Sequence, residues 1–183
     1  MSRDFVHLHV HSEYSLLDGA IRVDRLIRRT KELGMKSVAL TDHGNMFGAV
    51  RFYREAKGAG LKPILGMEAY VTRGSRADRA KKKGELSQIH HLILLARDND
   101  GYKNLMRLSS IGYLEGFYYK PRIDMDALAA YSGGLVALSS CLRGDVPQAM
   151  VSEGYEAARE KAEREARHTP EPGSRKAPVL GDL

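Results

Sequence analysis

Apolar and polar positions along this chain switch between two periods, and each switch marks an element. Phe5-Val6-His7-Leu8-His9-Val10-His11 repeats every second residue, which is the pattern of a half-buried strand. That register predicts Val6, Leu8 and Val10 on an apolar face and His7, His9 and His11 together on the other. Residues 13–19 read as a loop. Val23, Leu26, Ile27, Thr30 and Leu33 then recur at helical spacing, so a helix is predicted over 23–33, stopped by Gly34. A short buried strand follows at 36–41, then a helix over 47–57 ended by Gly58 and Gly60, then a strand over 62–71. Residues 73–85 form a basic loop with Arg73, Arg76, Arg79, Lys81, Lys82 and Lys83. Further strands are predicted at 91–96 and 134–139, with helices at 101–114, 125–131 and 146–167. Asp98 or Asp100 could cap the helix at 101–114.

Strands that alternate with helices imply parallel pairing and right-handed crossovers, hence a doubly wound sheet or a barrel. Candidate ligands recur near strand ends, where α/β barrels assemble sites from several loops. His91, at the start of its strand, does not fit that rule. Five such strands do not readily close a barrel, so the chain reads as truncated. Residues 157–167 are charged on every face, and Thr169-Pro170-Glu171-Pro172-Gly173-Ser174 reads as linker or disorder.

Composition narrows the function classes. The 183 residues are 43% hydrophobic and 28% charged, ordinary for a soluble domain. Neither a membrane-length apolar run nor an apolar leader is seen. Cys141 stands alone, so no internal disulfide forms and a reducing, cytoplasmic setting is expected. The net charge of +6 permits a polyanionic partner without demanding one. No Walker loop, nucleophile elbow or paired CxxC is present.

The chemistry lies in the histidines, six of seven within the first 91 residues. Imidazoles two apart on a strand sit about 6–7 Å apart along the backbone, so His9 and His11 can share one ion or serve two neighbours. Asp18 offers a carboxylate, or simply an Asp-Gly turn. His43 follows Asp42 in a turn that could equally cap the next helix. Glu68 interrupts an apolar strand, where a lone glutamate is rarely buried without a partner. His90-His91 heads another strand, and by period only one of the two faces any shared site. Cys141 is a thiolate candidate or an inert core residue. Together these form an N/O/S set suited to zinc, or to manganese or iron where oxygen dominates. The basic loop could touch a nucleic acid backbone or be a solvated insertion. The Phe117-Tyr118-Tyr119 run, with Lys120 and Arg122, could stack on bases or pack against the core.

With these residues in view, the chain resembles the PHP (polymerase and histidinol phosphatase) superfamily, in the branch found at the N-terminus of bacterial replicative DNA polymerases. The resemblance rests on His7-Leu8-His9-Val10-His11-Ser12-Glu13-Tyr14-Ser15-Leu16-Leu17-Asp18-Gly19, Leu40-Thr41-Asp42-His43-Gly44-Asn45 and Gly66-Met67-Glu68-Ala69-Tyr70. Gly101-Tyr102-Lys103-Asn104-Leu105, Gly116-Phe117-Tyr118-Tyr119-Lys120-Pro121-Arg122 and Leu138-Ser139-Ser140-Cys141-Leu142 extend it over residues 3–156. It implies a distorted (βα)7 TIM-like barrel, here incomplete, with up to three divalent metal ions. The implied ligands are His9, His11, Asp18, His43, Glu68, His91 and Cys141, with Glu68 bridging. His7, where many relatives are acidic, would orient a neighbour. The resemblance also implies metal-dependent phosphoesterase or 3′–5′ exonuclease chemistry, with primer–template DNA and other replicase subunits, such as a proofreading exonuclease, as partners. A purely structural docking module and a small-molecule phosphatase of the histidinol-phosphatase kind are the alternatives. The family's closing Asp-x-His motif is absent after Cys141, so residues 1–156 are expected to be a partial PHP domain, followed at 157–183 by a charged helix and a non-family tail.

Overall fold

A computed structural model of the chain describes residues 5–79 and 89–168. Lys81, Lys82 and Lys83 of the expected basic loop, and the linker from residue 169 on, lie outside the described residues. The spine is β2 (Lys62–Thr72). Along one edge, β1 (Ser37–Leu40) runs parallel to its first half, pairing Ser37 with Lys62 and Leu40 with Leu65. Further along that edge His43 bridges to Glu68, and β4 (Arg122–Ile123) pairs with Tyr70 and Val71. The other edge holds β3 (Ile89–Ala96), which in turn pairs with β5 (Leu135–Leu138).

Here the structure corrects the all-parallel expectation. β3 is antiparallel to both β2 and β5. Parallel neighbours need a crossover, usually a helix; the described residues between β2 and β3 contain none, and the chain returns alongside the strand it has left. The reversal removes the anomaly of His91. The start of β3 lies beside the end of β2, with His91 opposite Tyr70, so both strands deliver residues to one mouth of the sheet.

Strand parity sorts the side chains. Met67, Ala69, Val71, Leu92 and Leu94 face Leu105 and Leu108 of α3 (Asn99–Leu114) and Leu128 of α4 (Met125–Ala130). Glu68, Tyr70, His91 and Ile93 take the opposite face, where Ile93 and Leu95 join Ala39 in a small apolar plug. A second large cluster unites Val23, Leu26 and Ile27 of α1 (Val23–Glu32) with Val38, Leu40 and Phe52, the last from α2 (Ala49–Gly58). Asp98 is the cap of α3, accepting from Gly101 N–H at 2.8 Å.

The first predicted strand is not one. Ala39 N–H donates to His7 O and Thr41 N–H to Val10 O, so two steps along β1 match three steps here. The extra residue acts as a bulge and breaks the two-residue period. Val10 still packs on the α1 cluster, but Leu8 is 37% exposed. His7 leaves the histidine row and meets Phe5 edge-on, with ring centroids 4.8 Å apart.

The long helix expected over 146–167 is two, α5 (Asp145–Ser152) and α6 (Tyr155–His168), broken where Gly154 takes φ +94°, a conformation open mainly to glycine. Although heavily charged, α6 is docked: Ala158 is buried, and Lys161 and Arg164 reach Asp145. The expected division after residue 156 therefore falls within the first turn of α6.

Candidate metal centre

Five segments deliver the site. The irregular N-terminal segment and its turn bring His9, His11, Ser15 and Asp18; the turn after β1 brings His43; β2 brings Glu68; β3 brings His91; and the turn after β5 brings Ser140 and Cys141. Glu68 is the hub, with its side chain only 1% exposed. Its Oε2 lies 3.2 Å from His9 Nε2, 2.9 Å from His11 Nε2 and 3.1 Å from His43 Nδ1. Its Oε1 accepts from Ser140 Oγ at 2.7 Å and lies 2.9 Å from His91 Nδ1. Asp18 Oδ2 stands 3.0 Å from His43 Nε2.

These donors form three overlapping triads: His9, His11 and Glu68; His11, Asp18 and His43; His43, Glu68 and His91. Hydrogen bonding alone does not satisfy them. His9 Nε2 and His11 Nε2 are 2.9 Å apart, and His43 Nδ1 is buried without a hydrogen bond despite its closeness to Glu68. Three imidazole nitrogens crowding one carboxylate oxygen exceed its two lone pairs. Ligand atoms about 3.3 Å apart are what a tetrahedral ion with bonds near 2.0 Å gathers. The donor set fits a divalent cation.

A second layer fixes the rings. Ser15 Oγ donates its one proton to Asp42 Oδ1 at 2.8 Å and accepts from His43 N–H at 3.1 Å. Its remaining lone pair faces His11 Nδ1 at 2.9 Å, so that nitrogen must carry the hydrogen. The lone pair of His11 is thereby left on Nε2, aimed at Glu68. Asp42 also accepts from Ser12 N–H and Ser12 Oγ.

Burial alone would push the Glu68 carboxyl up; the surrounding imidazoles of His11, His9 and His91 and the Ser140 hydroxyl overcome it and hold the group well below the usual carboxylate range. For His11, burial opposes the charge but Glu68 prevails and raises its pKa; for His43 burial wins and lowers it.

Of the seven residues singled out from sequence, six share this cluster. Cys141 does not: it is exposed on the rim of the same cleft, and its Sγ faces Arg143 N–H at 3.5 Å. Ser140, one residue earlier, meets Glu68 instead, at φ +65°, a strained setting of the kind found at functional sites. His90 points to the other face, 3.6 Å from Asp145. Sequence reasoning missed Ser15, Asp42 and Ser140 as orienting residues; only their nearness to candidate ligands marked them. Above the cluster opens a cleft of about 680 Å³, walled by Phe47, Tyr113, Phe117 and Tyr119 and edged by Lys120 and Arg143.

A buried carboxylate ringed by imidazoles at one mouth of a mixed α/β sheet defines a domain built to bind divalent metal. The chain belongs to the PHP domain family, whose pattern matches residues 7–173, past the expected limit of 156. It is 56% identical over 148 residues to the DNA polymerase III subunit alpha of Aquifex aeolicus, covering 79% of this chain and 13% of that protein. It is 53% identical over 156 residues to the DNA polymerase III subunit alpha of Borreliella burgdorferi, covering 85% of this chain and 13% of that protein. The chain thus spans about 13% of the length of these curated relatives. Among solved structures it is similar to a putative metal-dependent phosphoesterase from Bifidobacterium adolescentis, at TM-score 0.37 and 16% identity, covering 91% of this chain and 58% of that one.

Proposed function

We propose that the cleft holds a cluster of divalent cations that cleaves phosphodiester bonds, and that the chain is the N-terminal PHP segment of a DNA polymerase III alpha subunit acting in DNA replication in the cytoplasm. The observation that carries the reading is the convergence of His9, His11, His43 and His91 on the one buried carboxylate of Glu68. The residues that would hold up to three ions are then His9, His11, Asp18, His43, Glu68 and His91. Cys141 would join through movement of its exposed turn. Zinc suits the nitrogen-rich positions, and manganese or iron those with more oxygen.

Bound divalent cations supply Lewis acidity and a hydroxide available at neutral pH. The chain's own residues do the rest. Asp42 and Ser15 hold His11 with its Nε2 forward, Ser140 fixes one oxygen of Glu68, and Lys120 and Arg143 offset the charge of an entering phosphate. Primer–template DNA is the substrate, and other replicase subunits, such as a proofreading exonuclease, are the partners.

Two measurements test this. Elemental analysis of protein purified without chelator is expected to find more than one zinc, manganese or iron per chain; no metal sinks the reading. Mismatched primer ends are expected to be shortened in a metal-dependent way by the wild type and not by Glu68→Ala. Equal rates in the two proteins would leave only a structural, partner-docking role. Turnover of phosphomonoesters with no effect on DNA would place the chain with the small-molecule phosphatases.

A further inference from the structure

The wall of the cleft contains an arrangement that metal chemistry does not require. Phe47 from the turn before α2, Tyr113 from the end of α3 and Phe117 from the following loop stand in a row. Ring centroids are 5.8 Å apart for Phe47 and Tyr113 and 6.0 Å for Tyr113 and Phe117, the latter pair stacked. Their exposures are 60%, 37% and 47%. Three separate elements thus present neighbouring aromatic rings to solvent, where an isolated domain gains nothing from them. Tyr118 behaves differently and packs beneath the Arg122 guanidinium, 5.3 Å from its ring centroid. Tyr119, 74% exposed, is held at φ +59° with its side chain on the same cleft. A bulky residue there is strained, and its ring meets that of Tyr118 edge-on, with centroids 4.6 Å apart.

A cation links this wall to the cluster. Lys120 Nζ sits 4.2 Å above the Tyr70 ring and donates to Tyr70 Oη at 3.1 Å. Tyr70 stacks in turn on His43, with centroids 5.7 Å apart at 15°. The imidazole cluster, this cation and the aromatic row all line the one cleft. A nucleotide at the end of a strand offers a phosphodiester that the cluster and the cation can take and a base that the aromatic row can take.

We infer that Phe47, Tyr113 and Phe117 form a stacking subsite for the nucleobase of a single-stranded DNA end, holding it while its phosphodiester lies at the Glu68 cluster. This rests on the phosphodiesterase reading above and adds the part of the substrate that is gripped. Stacking tolerates any base, because each presents a π face. The subsite selects an unpaired end without selecting its sequence. A cleft of about 680 Å³ lies within the size range of small-ligand sites.

The test uses the full chain and a short fluorescein-labelled oligothymidylate with a phosphorothioate at its last linkage, so that anisotropy reads binding without turnover. A second oligonucleotide is identical but ends in an abasic residue. The wild type should bind the base-bearing end roughly 10-fold more tightly than the abasic one. Phe117→Ala and Phe47→Ala should each lose most of that preference while binding the abasic end as the wild type does, and Phe117→Trp should restore it. Equal binding of both ends by the wild type, as expected if the rings merely await another protein segment, overturns the subsite. Metal-dependent cleavage without base preference would leave the phosphodiesterase reading standing and the subsite refuted. Base preference without cleavage would do the reverse.

Discussion

Two buried carboxylates in this domain are surrounded in opposite ways. Glu68 is ringed by four imidazoles and a hydroxyl; Asp145, with its side chain 7% exposed, is ringed mainly by permanent cations. Arg73 and Arg164 reach it at 2.8 and 2.7 Å, Lys161 at 3.3 Å and His90 at 3.6 Å. Burial works against the charge in both, and the neighbours overcome it, depressing both pKa values. Guanidinium and ammonium groups have no lone pair to offer, so the Asp145 node is closed to metal and ties α5 and α6 to β3 and to Arg73, just past the end of β2. Imidazoles keep a lone pair each, so the Glu68 node stays open to a cation. The kind of neighbour, not the depth of burial, separates a structural carboxylate from a functional one.

The sharpest way to break this contrast is to remove each carboxylate and read both properties. Glu68→Ala should abolish metal retention and lower any phosphodiester cleavage by about 10²–10³-fold or more. Asp145→Asn should leave metal content at the wild-type level and cost about 2 kcal/mol in urea unfolding. That is less than the cost of about 3–5 kcal/mol for stranding a fully buried charge, because Arg73 and Arg164 can turn to water. Metal loss from Asp145→Asn would merge the two nodes and defeat the comparison.

A smaller effect is expected one layer out. Ser15→Ala removes the acceptor that keeps hydrogen on His11 Nδ1 and takes from Asp42 one of its three hydrogen bonds, leaving those from Ser12. Loss of such an orienting partner weakens metal affinity by about 10–100-fold. Competition against a chromophoric chelator would read this. An unchanged affinity would show that His11 is positioned by its backbone alone.

Much of this contrast was legible in the sequence, and unevenly so. The helical stripe of Val23, Leu26, Ile27 and Thr30 set α1 almost to the residue, because one periodicity and one stop at Gly34 acted together. Glu68 was conspicuous because a carboxylate within an apolar strand has few other reasons to be there. Direction was not legible: strand polarity depends on the path of residues 73–88, which carry no periodic pattern. His7 was misplaced because a single extra backbone residue inverts a two-residue period, and nothing in Phe5–His11 signals it. Ser15 and Ser140 were invisible because serines occur in every turn and acquire meaning only from what the fold sets opposite them. The Asp145 node was equally hidden, since Arg73, His90, Asp145 and Arg164 are distant in sequence and lie together only once α6 docks.

The mildest expected effect concerns the second acid at that node. Glu165 on α6 is half-buried, and its carboxyl is pushed up to about 7, by burial first and by the Asp145 charge second. A folded-state pKa above the ordinary 4.5 means that the fold prefers the protonated acid, so stability falls as pH rises from 4.5 toward 7. Asp145 has the opposite sign: its depressed pKa contributes stability above the ordinary 3.8, lost as pH falls below that value. The two acids therefore bracket a plateau of maximal stability between those limits. Glu165→Gln should melt with the wild type below pH 4.5 and a few degrees higher above pH 7, where only the wild type carries a buried negative charge facing Asp145. Asp145→Asn should flatten the acid limb and also ease Glu165, because one of the two causes raising it is gone. A Glu165→Gln gain that is the same at every pH would mean that side-chain packing, not charge, governs the node.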